Sequence, residues 1–373
     1  MQKRRSILFL TLKIFSATGG IEKICRIAGK ALYELGETDV RIFSMHDDKK
    51  AADIRYFPAP VFKGFNGQKL KFTYSGIKEG IKNDIIILSH INLLTVGYII
   101  KLFSPKKKLL LFAHGIEVWK ALPRWKKRML KKCDRILAVS NFTKEKLRSV
   151  NNIDNKNCVV LNNCIDPFLA EQSNTAGRSV LQKKYGFTSD NFILITVTRI
   201  LSDEQYKGHD KIIESIGNII KQFPYIRYVI AGKYDLSEKI RLDNIIAKYN
   251  LQHAVVFTGF VADEELPTHY GLADVFIMPS YGEGFGIAFI EAMYYGLPVI
   301  AGNKDGSVDA LCNGDLGVLV DPLNVQEISA AIIKVIANKN SFIPDHNVLM
   351  ENFGYAGYKS RLRNAIEFTL CHN

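Results

Sequence analysis

Short, continuous apolar runs alternate with amphipathic stretches along the whole chain, and this alternation constrains the fold more than any other feature. The run Ile85–Leu88 is typical, because all of its residues are apolar and a strand formed by them would be apolar on both faces. Strands that are apolar on both sides are buried on both faces, as in parallel sheets covered by helices. The pattern therefore predicts an α/β protein. The predicted strands are Ile7–Leu12, Val40–Ser44, Ile85–Ser89, Leu109–Ala113, Arg135–Val139, Val159–Leu161, Ile193–Val197, Tyr228–Ala231, Val255–Thr258, Val275–Met278, Pro298–Ala301 and Gly317–Val320.

The same alternation repeats in both halves of the chain, which predicts two Rossmann-like domains with a cleft between them. We predict domains over residues 1–170 and 171–350, with the boundary in the polar stretch Glu171–Gly177, after the turn formers Asn162–Pro167. Ligands of such sheets bind at the carboxyl ends of the strands. The predicted helices are Ile21–Leu35, Leu93–Phe103, Pro123–Lys132, Thr143–Val150, Lys211–Gln222, Ser237–Tyr249, Glu264–Leu272, Ile287–Tyr295 and Val325–Asn338.

Charge is distributed unevenly between the two halves. Residues 1–165 hold 32 basic and 13 acidic side chains, a net charge of +19, whereas the rest hold 18 basic and 24 acidic, a net charge of −6. A basic half indicates an anionic partner, which is a phosphorylated substrate, a membrane surface or a nucleic acid. The basic stretch Pro123–Lys132 and the run Lys106–Lys108 suit an anionic lipid surface, although a solvated basic face would have the same composition.

The cysteines and the hydropathy indicate the compartment. The six cysteines are scattered, with no Cys-x-x-Cys pair and no zinc spacing, which is typical of a reducing cytoplasm. No apolar run approaches the ~20 residues that a membrane-spanning helix needs. The sequence therefore predicts a cytoplasmic protein, at the inner face of the plasma membrane if the basic half docks there.

Two motifs in the first half could bind a ligand. Gly19 and Gly20 follow the first strand and precede a helix, where backbone N–H groups and the helix dipole favour a phosphate. A simple turn that needs glycine accounts for the same pair. His114, followed by Gly115, stands at a strand's carboxyl end and is a candidate site residue, although a structural histidine is the alternative. His90 is a weaker candidate of the same kind.

The second half carries a pair of cations after its first strand. Arg199 closes that strand, and Lys207 comes just before a helix, with seven residues between them. Two cations beside a helix N-terminus suit a pyrophosphate. Two unrelated surface cations would be the simpler explanation.

The most specific motif is Glu283-Gly-Phe-Gly-Ile-Ala-Phe-Ile-Glu291, in which seven residues separate two glutamates. Glu283 lies in a glycine-rich loop after a strand, and the N–H groups of Phe285, Gly286 and Ile287 follow it. A carboxylate beside a row of N–H donors suits sugar hydroxyls, which need both acceptors and donors. Glu291 lies on the next helix, where it could reach ribose hydroxyls.

With these motifs in this order, the chain resembles the retaining glycosyltransferases of family 4, which have the GT-B fold of two facing Rossmann-like domains. The resemblance covers essentially the whole chain. It implies that the helix in residues 351–373 crosses back to the first domain. No Asp-x-Asp metal motif stands at a plausible site, so we expect no obligatory metal and no cofactor. The implied donor is a GDP- or UDP-linked sugar. The implied donor-binding residues are Gly19, Gly20, Arg199, Lys207, Phe260, Glu283, Phe285, Gly286, Ile287 and Glu291, with His114, Arg199, Lys207 and Glu283 at the reacting sugar.

The chain departs from the family pattern at two places, and it resembles one subgroup of the family in particular. The seven residues between Arg199 and Lys207 are more than the commonest family spacing, and Gly302–Asp309 replaces the usual Gly-Gly-x-x-Glu segment. Tyr206-Lys207-Gly208 together with Asp305-Gly-Ser-Val-Asp-Ala-Leu311 resembles mannosyltransferases of bacterial exopolysaccharide assembly. That subgroup implies GDP-mannose as the donor and a polyprenyl-diphosphate-linked saccharide as the acceptor.

Other functions compete with this interpretation. The basic half could bind nucleic acid or another polyanion, but it lacks interleaved aromatics and any helix-turn-helix or zinc pattern, so we expect no nucleic-acid partner. A sugar-nucleotide epimerase of the same two-domain fold, or a non-catalytic binder of sugar nucleotides, would share much of the sequence pattern.

Overall fold

The computed structural model describes residues 5–36, 38–170 and 175–371. Within them, the chain forms two units by contact density: residues up to Phe168 together with the chain from Phe353 onward, and Leu169–Asn352. The predicted boundary stretch, Glu171–Gly177, lies partly outside the described residues. We describe each unit by itself.

The strands agree with the predicted ones to within about two residues, and all pair in parallel. The sequence analysis did not predict β3, which is three residues long. The strands are β1 Arg5–Thr11, β2 Thr38–Ser44, β3 Phe62–Gly64, β4 Ile85–Leu88, β5 Lys108–Ala113, β6 Arg135–Ala138, β7 Cys158–Val160, β8 Phe192–Val197, β9 Ile226–Ala231, β10 Val255–Gly259, β11 Val275–Met278, β12 Val299–Gly302 and β13 Val318–Val320.

The helices follow the predicted amphipathic stretches, with α2, α4, α7, α12 and α14 as additions. The longest addition in the first unit is α2, whose Lys-rich sequence has a weak apolar stripe. The helices are α1 Gly20–Tyr33, α2 Lys69–Gly80, α3 Leu94–Phe103, α4 Ile116–Trp119, α5 Arg124–Leu130, α6 Asn141–Asn151, α7 Thr175–Tyr185, α8 His209–Ile219, α9 Leu236–Lys248, α10 Leu266–Leu272, α11 Ile287–Tyr294, α12 Ser307–Ala310, α13 Val325–Ala337, α14 His346–Phe353 and α15 Tyr355–Cys371.

Local sequence sets the helix ends. Ser140 caps α6 by accepting a hydrogen bond from the Thr143 N–H, and Asn152 ends the helix in the left-handed conformation at φ 55°. Asp235 caps α9 in the same way through the Glu238 N–H. These polar residues satisfy backbone groups that a helix end leaves without partners.

The first unit contains a seven-stranded sheet in the order β3-β2-β1-β4-β5-β6-β7. Its central strands are buried on both faces; β4, for example, has four buried residues in succession. Helix α15 belongs to this unit, where Tyr355 and Lys359 bind the Glu34 carboxylate that follows α1. The apolar core lies between the sheet and helices α2, α3 and α6.

The second unit contains a six-stranded sheet in the order β10-β9-β8-β11-β12-β13. Its core joins β8, β9 and β11 to the apolar faces of α8, α9 and α13. In both sheets the strand order reverses beside the first strand of the unit, between β1 and β4 and between β8 and β11. Ligands of doubly wound sheets bind at such reversal points.

Candidate active site

The strand-order reversal of the second unit brings the predicted motifs together. Arg199 lies just after β8, Glu283 lies in the loop after β11, and Asp305 follows β12, so three neighbouring strands deliver them to one edge of the sheet. Because the strands are parallel, their carboxyl ends lie on the same side. This edge is the candidate donor site.

Lys207 is buried, whereas the Arg199 side chain is 63% exposed. The Lys207 ammonium donates to the Thr198 hydroxyl and to the Glu204 carboxylate, at 2.6 Å for the latter. The other oxygen of Glu204 accepts from the Arg199 guanidinium. The two predicted cations are therefore linked by a carboxylate that the sequence analysis did not single out.

The turn after Lys207 needs glycine. Gly208 has φ 78°, and a Cβ there would lie 2.6 Å from the Pro279 carbonyl oxygen. The close approach holds the start of α8 against the loop after β11. Lys207 is thereby positioned beside Glu283, and its charge lowers the pKa of Glu283 against the larger effect of burial, which raises it.

Asp305 holds the Glu283 loop in place. Its buried carboxylate accepts from the Glu283 N–H at 2.7 Å, the Ser280 hydroxyl at 2.8 Å and the Ser307 N–H at 2.9 Å. Burial raises the pKa of Asp305, and these hydrogen bonds oppose that rise. The segment Gly302–Asp309, which the sequence marked as a departure, therefore supports the loop that carries Glu283.

The glycine-rich loop leads into α11, and Glu291 lies one turn into that helix. Gly286 has φ 86° and precedes the helix, and the N–H groups of Ile287 and Ala288, in its first turn, have no acceptor within the helix. Phe285 is buried, and so is Glu291, whose carboxylate accepts from the Tyr270 hydroxyl at 3.3 Å. Phe260 is 62% exposed and follows β10, the edge strand, two strands away from β8.

The first unit has a second constellation at its own strand-order reversal. The loop from β1 to α1, which carries Gly19 and Gly20, is held by Asp47. That buried carboxylate accepts from the N–H groups of Ile14, Phe15 and Ser16, at 2.6, 3.2 and 2.6 Å. A loop fixed by three backbone hydrogen bonds gives the glycine pair a defined position.

His114 follows β5 and is held at both its backbone and its ring. Its Nε2 lies 2.8 Å from the Ser89 carbonyl oxygen and must donate to it, while its N–H donates to the Glu117 carboxylate. Burial lowers the pKa of His114 to about 4, so the ring is neutral at pH 7 and its Nδ1 is an acceptor. His90 caps a short 3-10 turn, where its Nδ1 accepts from the Asn92 N–H.

Sequence reasoning missed three carboxylates of these sites: Glu204, Asp305 as a loop support, and Asp47. Each lies in a loop; Glu204 and Asp47 belong to no motif, and Asp305 lies in the segment Gly302–Asp309, where the sequence assigned it no role. The usable signal was position, because each lies near the carboxyl end of a strand. Among the described residues, no group of three or more His, Cys, Asp or Glu side chains could hold a metal ion. None of the described helices is both long and apolar enough to cross a bilayer.

Comparison with known proteins assigns the fold and the family. The family described as Glycosyl transferases group 1 matches residues 178–360, and that described as Glycosyltransferase Family 4 matches residues 18–168. HepE of Anabaena, solved in complex with UDP and glucose, superimposes with a TM-score of 0.80 at 19% identity, over 98% of this chain and 100% of that one. A glycosyltransferase of Rickettsia africae superimposes at 0.78 with 20% identity, over 99% and 100%.

A sequence relative from Mycobacterium tuberculosis is a GDP-mannose-dependent alpha-(1-6)-phosphatidylinositol monomannoside mannosyltransferase. It is 30% identical over 172 residues, which are 44% of this chain and 43% of the relative. The match thus spans less than half the length of that relative.

The two parallel-sheet units and the structural matches define a protein of the GT-B class. Within that class, the chain belongs to glycosyltransferase family 4. The predictions of the fold class and of the family are confirmed.

Proposed function

We propose that this protein transfers a hexose from a nucleotide sugar to a glycan or lipid-linked saccharide, with retention of configuration at the anomeric carbon. The observation that carries the proposal is the arrangement of Arg199, Lys207 and Glu283 at one strand-order reversal. Breaking the anomeric C–O bond leaves negative charge on a nucleoside diphosphate. Arg199, just after β8, and Lys207, just before α8, are the two cations that we assign to stabilise that charge.

Two glutamates, a histidine and the glycine pair have separate roles in the proposal. Glu283 accepts hydrogen bonds from hydroxyls of the transferred sugar, and Glu291 does so from the ribose. His114, neutral and with an acceptor Nδ1, accepts a hydrogen bond from the transferred sugar. The glycine pair Gly19-Gly20 approaches the donor phosphates. The donor phosphate itself takes the acceptor's proton as the acceptor attacks from the leaving-group face.

The sugar and base are narrower proposals. Mannose is the favoured sugar, because the M. tuberculosis relative is named GDP-mannose-dependent and the sequence resembles mannosyltransferases of exopolysaccharide assembly. The HepE structure contains UDP and glucose, which makes a UDP-linked sugar the competing donor. The proposed acceptor is a polyprenyl-diphosphate-linked saccharide in the synthesis of a bacterial surface polysaccharide.

A membrane location would fit such an acceptor, and exposed apolar side chains support it. Helix α3 packs against both α2 and α5 in the basic unit. The exposed fractions are 73% for Phe103 on α3, 55% for Trp125 on α5 and 68% for Tyr74 on α2. Lysines lie near each of them in the sequence, and apolar side chains among lysines are typical of helices that lie on anionic membranes. We therefore include peripheral contact with an anionic membrane in the proposal.

A thermal-shift panel tests the donor proposal. The protein is heated with GDP, UDP and ADP and with their common sugar conjugates. A ligand that binds only the folded state stabilises it by about 2.7 kcal/mol at 100 times its Kd. We expect one nucleotide family to raise the melting temperature, and Arg199→Ala and Glu291→Ala to abolish that rise. The matched control is Lys221→Ala, since Lys221 is an exposed cation just beyond the opposite end of α8.

The contrary outcome would be a rise with heparin or DNA and with no nucleotide. That result would support a polyanion-binding protein that uses the basic half of the chain. If a sugar nucleotide binds but no nucleoside diphosphate is released with any acceptor, the epimerase or binder alternative gains instead.

A further inference from the structure

The carboxylate of Glu204 occupies the position between the two cations of the candidate donor site. One of its oxygens accepts from the Arg199 guanidinium and the other from the Lys207 ammonium. Its side chain is only 12% exposed and that of Lys207 only 6%, so their contact is largely shielded from water, whereas the Arg199 side chain is 63% exposed. Such charge-assisted hydrogen bonds are about twice as strong as neutral ones.

A diphosphate would need the same donors. Lys207 is committed in this structure to Glu204, to the Thr198 hydroxyl and to the Arg199 carbonyl oxygen, the last at 3.4 Å. A phosphate oxygen on the Lys207 ammonium would therefore compete with the Glu204 carboxylate. A diphosphate on both cations would also lie against an anionic side chain, which like-charge repulsion disfavours.

The Glu204 side chain can move away from the two cations while the backbone of its loop stays in place. The Glu204 N–H donates to the Leu201 carbonyl at 2.9 Å, and the Lys207 N–H donates to the Glu204 carbonyl at 3.2 Å. These bonds form the turn that positions Lys207 and do not involve the Glu204 carboxylate. Rotation about the side-chain bonds of Glu204 would free both cations while the turn stays intact.

We propose that Glu204 is an internal counterion that occupies the diphosphate subsite when no donor is bound and is displaced when the donor arrives. The inference rests on the proposed function and deepens it. Because the donor diphosphate must compete with the Glu204 carboxylate for the two cations, the donor binds more weakly. The returning carboxylate also assists the departure of the nucleoside diphosphate product.

The test is the affinity of Glu204→Gln for GDP, UDP and ADP, measured by isothermal titration calorimetry, with dissociation rates from stopped flow. The amide keeps the shape of the side chain and removes its charge. An apparent Kd is raised by the inverse of the fraction of protein in the binding-competent state. We therefore expect the Kd of the variant to fall roughly fivefold or more, with slower dissociation.

Asp203→Asn is the matched control, because Asp203 is an exposed carboxylate in the same loop, one residue away. We expect its Kd to stay within about twofold of the wild type. Circular dichroism melting verifies that both variants are folded.

Each outcome decides between defined alternatives. If Glu204→Gln binds the nucleotide equally or more weakly, Glu204 orients the cations and the counterion proposal is wrong, while the proposed function stands. If both variants bind more tightly by the same factor, the effect is general loop charge and the proposal is again wrong. If neither the wild type nor Glu204→Gln binds GDP, UDP or ADP, the proposed function fails together with the inference.

Discussion

At the scale of single residues, His209 shows how burial sets the protonation of a side chain in this protein. It is the first residue of α8, and its Nδ1 lies 3.1 Å from the Tyr228 hydroxyl. The Thr196 hydroxyl donates to the Ile277 carbonyl and so must accept from Tyr228, 2.8 Å away. Tyr228 therefore accepts from His209, whose Nδ1 carries the proton.

The other ring nitrogen of His209 has no hydrogen-bond partner among the described residues. Protonation there would bury an unpaired donor and a charge close to Lys207. Burial is the main reason that the pKa of His209 falls to about 3, and Lys207 adds to the effect. The neutral ring ties β8, β9 and α8 together beside the candidate donor site.

A pH dependence of stability follows from the lowered pKa of His209. The unfolded chain takes up this proton near the ordinary histidine value of 6.5, whereas the folded chain does so only near 3. The unfolded state thus binds more protons between these values, and the free energy of unfolding falls as the pH falls below 6.5. From pH 7 to pH 5 we expect His209 to remove about 2 kcal/mol.

Urea denaturation of the wild type and of His209→Asn at pH 7 and pH 5 measures this contribution. The loss between the two pH values should be smaller in His209→Asn by about that amount. His253→Asn changes an exposed histidine of the same unit and should behave as the wild type. Equal pH slopes in all three proteins would contradict the argument.

At the scale of elements, the loop after β12 determines the conformation of the loop after β11. Asp305 holds the Glu283 N–H, and the Gly306 N–H donates to the Glu283 carbonyl at 2.9 Å. Gly306 has an ordinary helical backbone conformation, with φ −69°, so alanine would be acceptable there on conformational grounds. Contact with the neighbouring loop is what requires glycine, because a Cβ would lie 2.0 Å from the Gly284 carbonyl oxygen.

Gly306→Ala should therefore displace the loop that carries Glu283 and reduce sugar transfer. A displacement of about 1 Å at a reacting centre can cost roughly 100-fold in rate, and we expect a fall in kcat/KM of that order. The measurement is the release of nucleoside diphosphate with the donor that the thermal-shift panel selects.

Gly76→Ala is the control for the glycine substitution, since a Cβ at Gly76 would lie 3.5 Å from its neighbours, at ordinary contact distance. It should keep wild-type activity. Circular dichroism distinguishes a displaced loop from an unfolded protein. A folded Gly306→Ala with unchanged kcat/KM would show that the loop contact does not position Glu283.

At the scale of the whole molecule, the uneven charge of the two halves predicts that the basic half binds an anionic membrane. Residues 1–165 carry a net charge of +19, and exposed apolar side chains lie among the lysines there. We expect co-sedimentation with vesicles of phosphatidylglycerol and not with phosphatidylcholine. Binding should weaken as salt is added, because the screening length falls from about 10 Å at 0.1 M to about 3 Å at 1 M.

Phe103→Ser should lower the fraction that co-sediments, because it removes an exposed ring from the basic unit. Leu236→Ser is the matched control, since Leu236 is 71% exposed, similar to the 73% of Phe103, but lies in the acidic half. If both variants lost the same fraction of co-sedimented protein, or if the protein bound both lipids equally, the basic half would not be making a specific electrostatic contact with the membrane.

The sequence alone determined the α/β class, nearly all the strands and the positions of the main motifs. The reason is physical: buried parallel strands must be continuous apolar runs, and left-handed turns favour glycine, so both leave local marks. Helix α2 left a weaker mark and was missed, because its lysines and exposed Leu70 and Tyr74 obscure the apolar periodicity. Charge composition likewise indicated the basic unit without locating its exposed apolar side chains.

Only the tertiary structure decided which charged groups meet. The support of Glu283 by Asp305 joins the loops after β11 and β12, so it depends on strand order. The link from Glu204 to Arg199 and Lys207 lies within the loop after β8, and it depends on the turn that this loop forms and on side-chain conformation. Local sequence therefore specifies the elements and their ends, while the site arises from long-range packing, which places separate loops within hydrogen-bond distance.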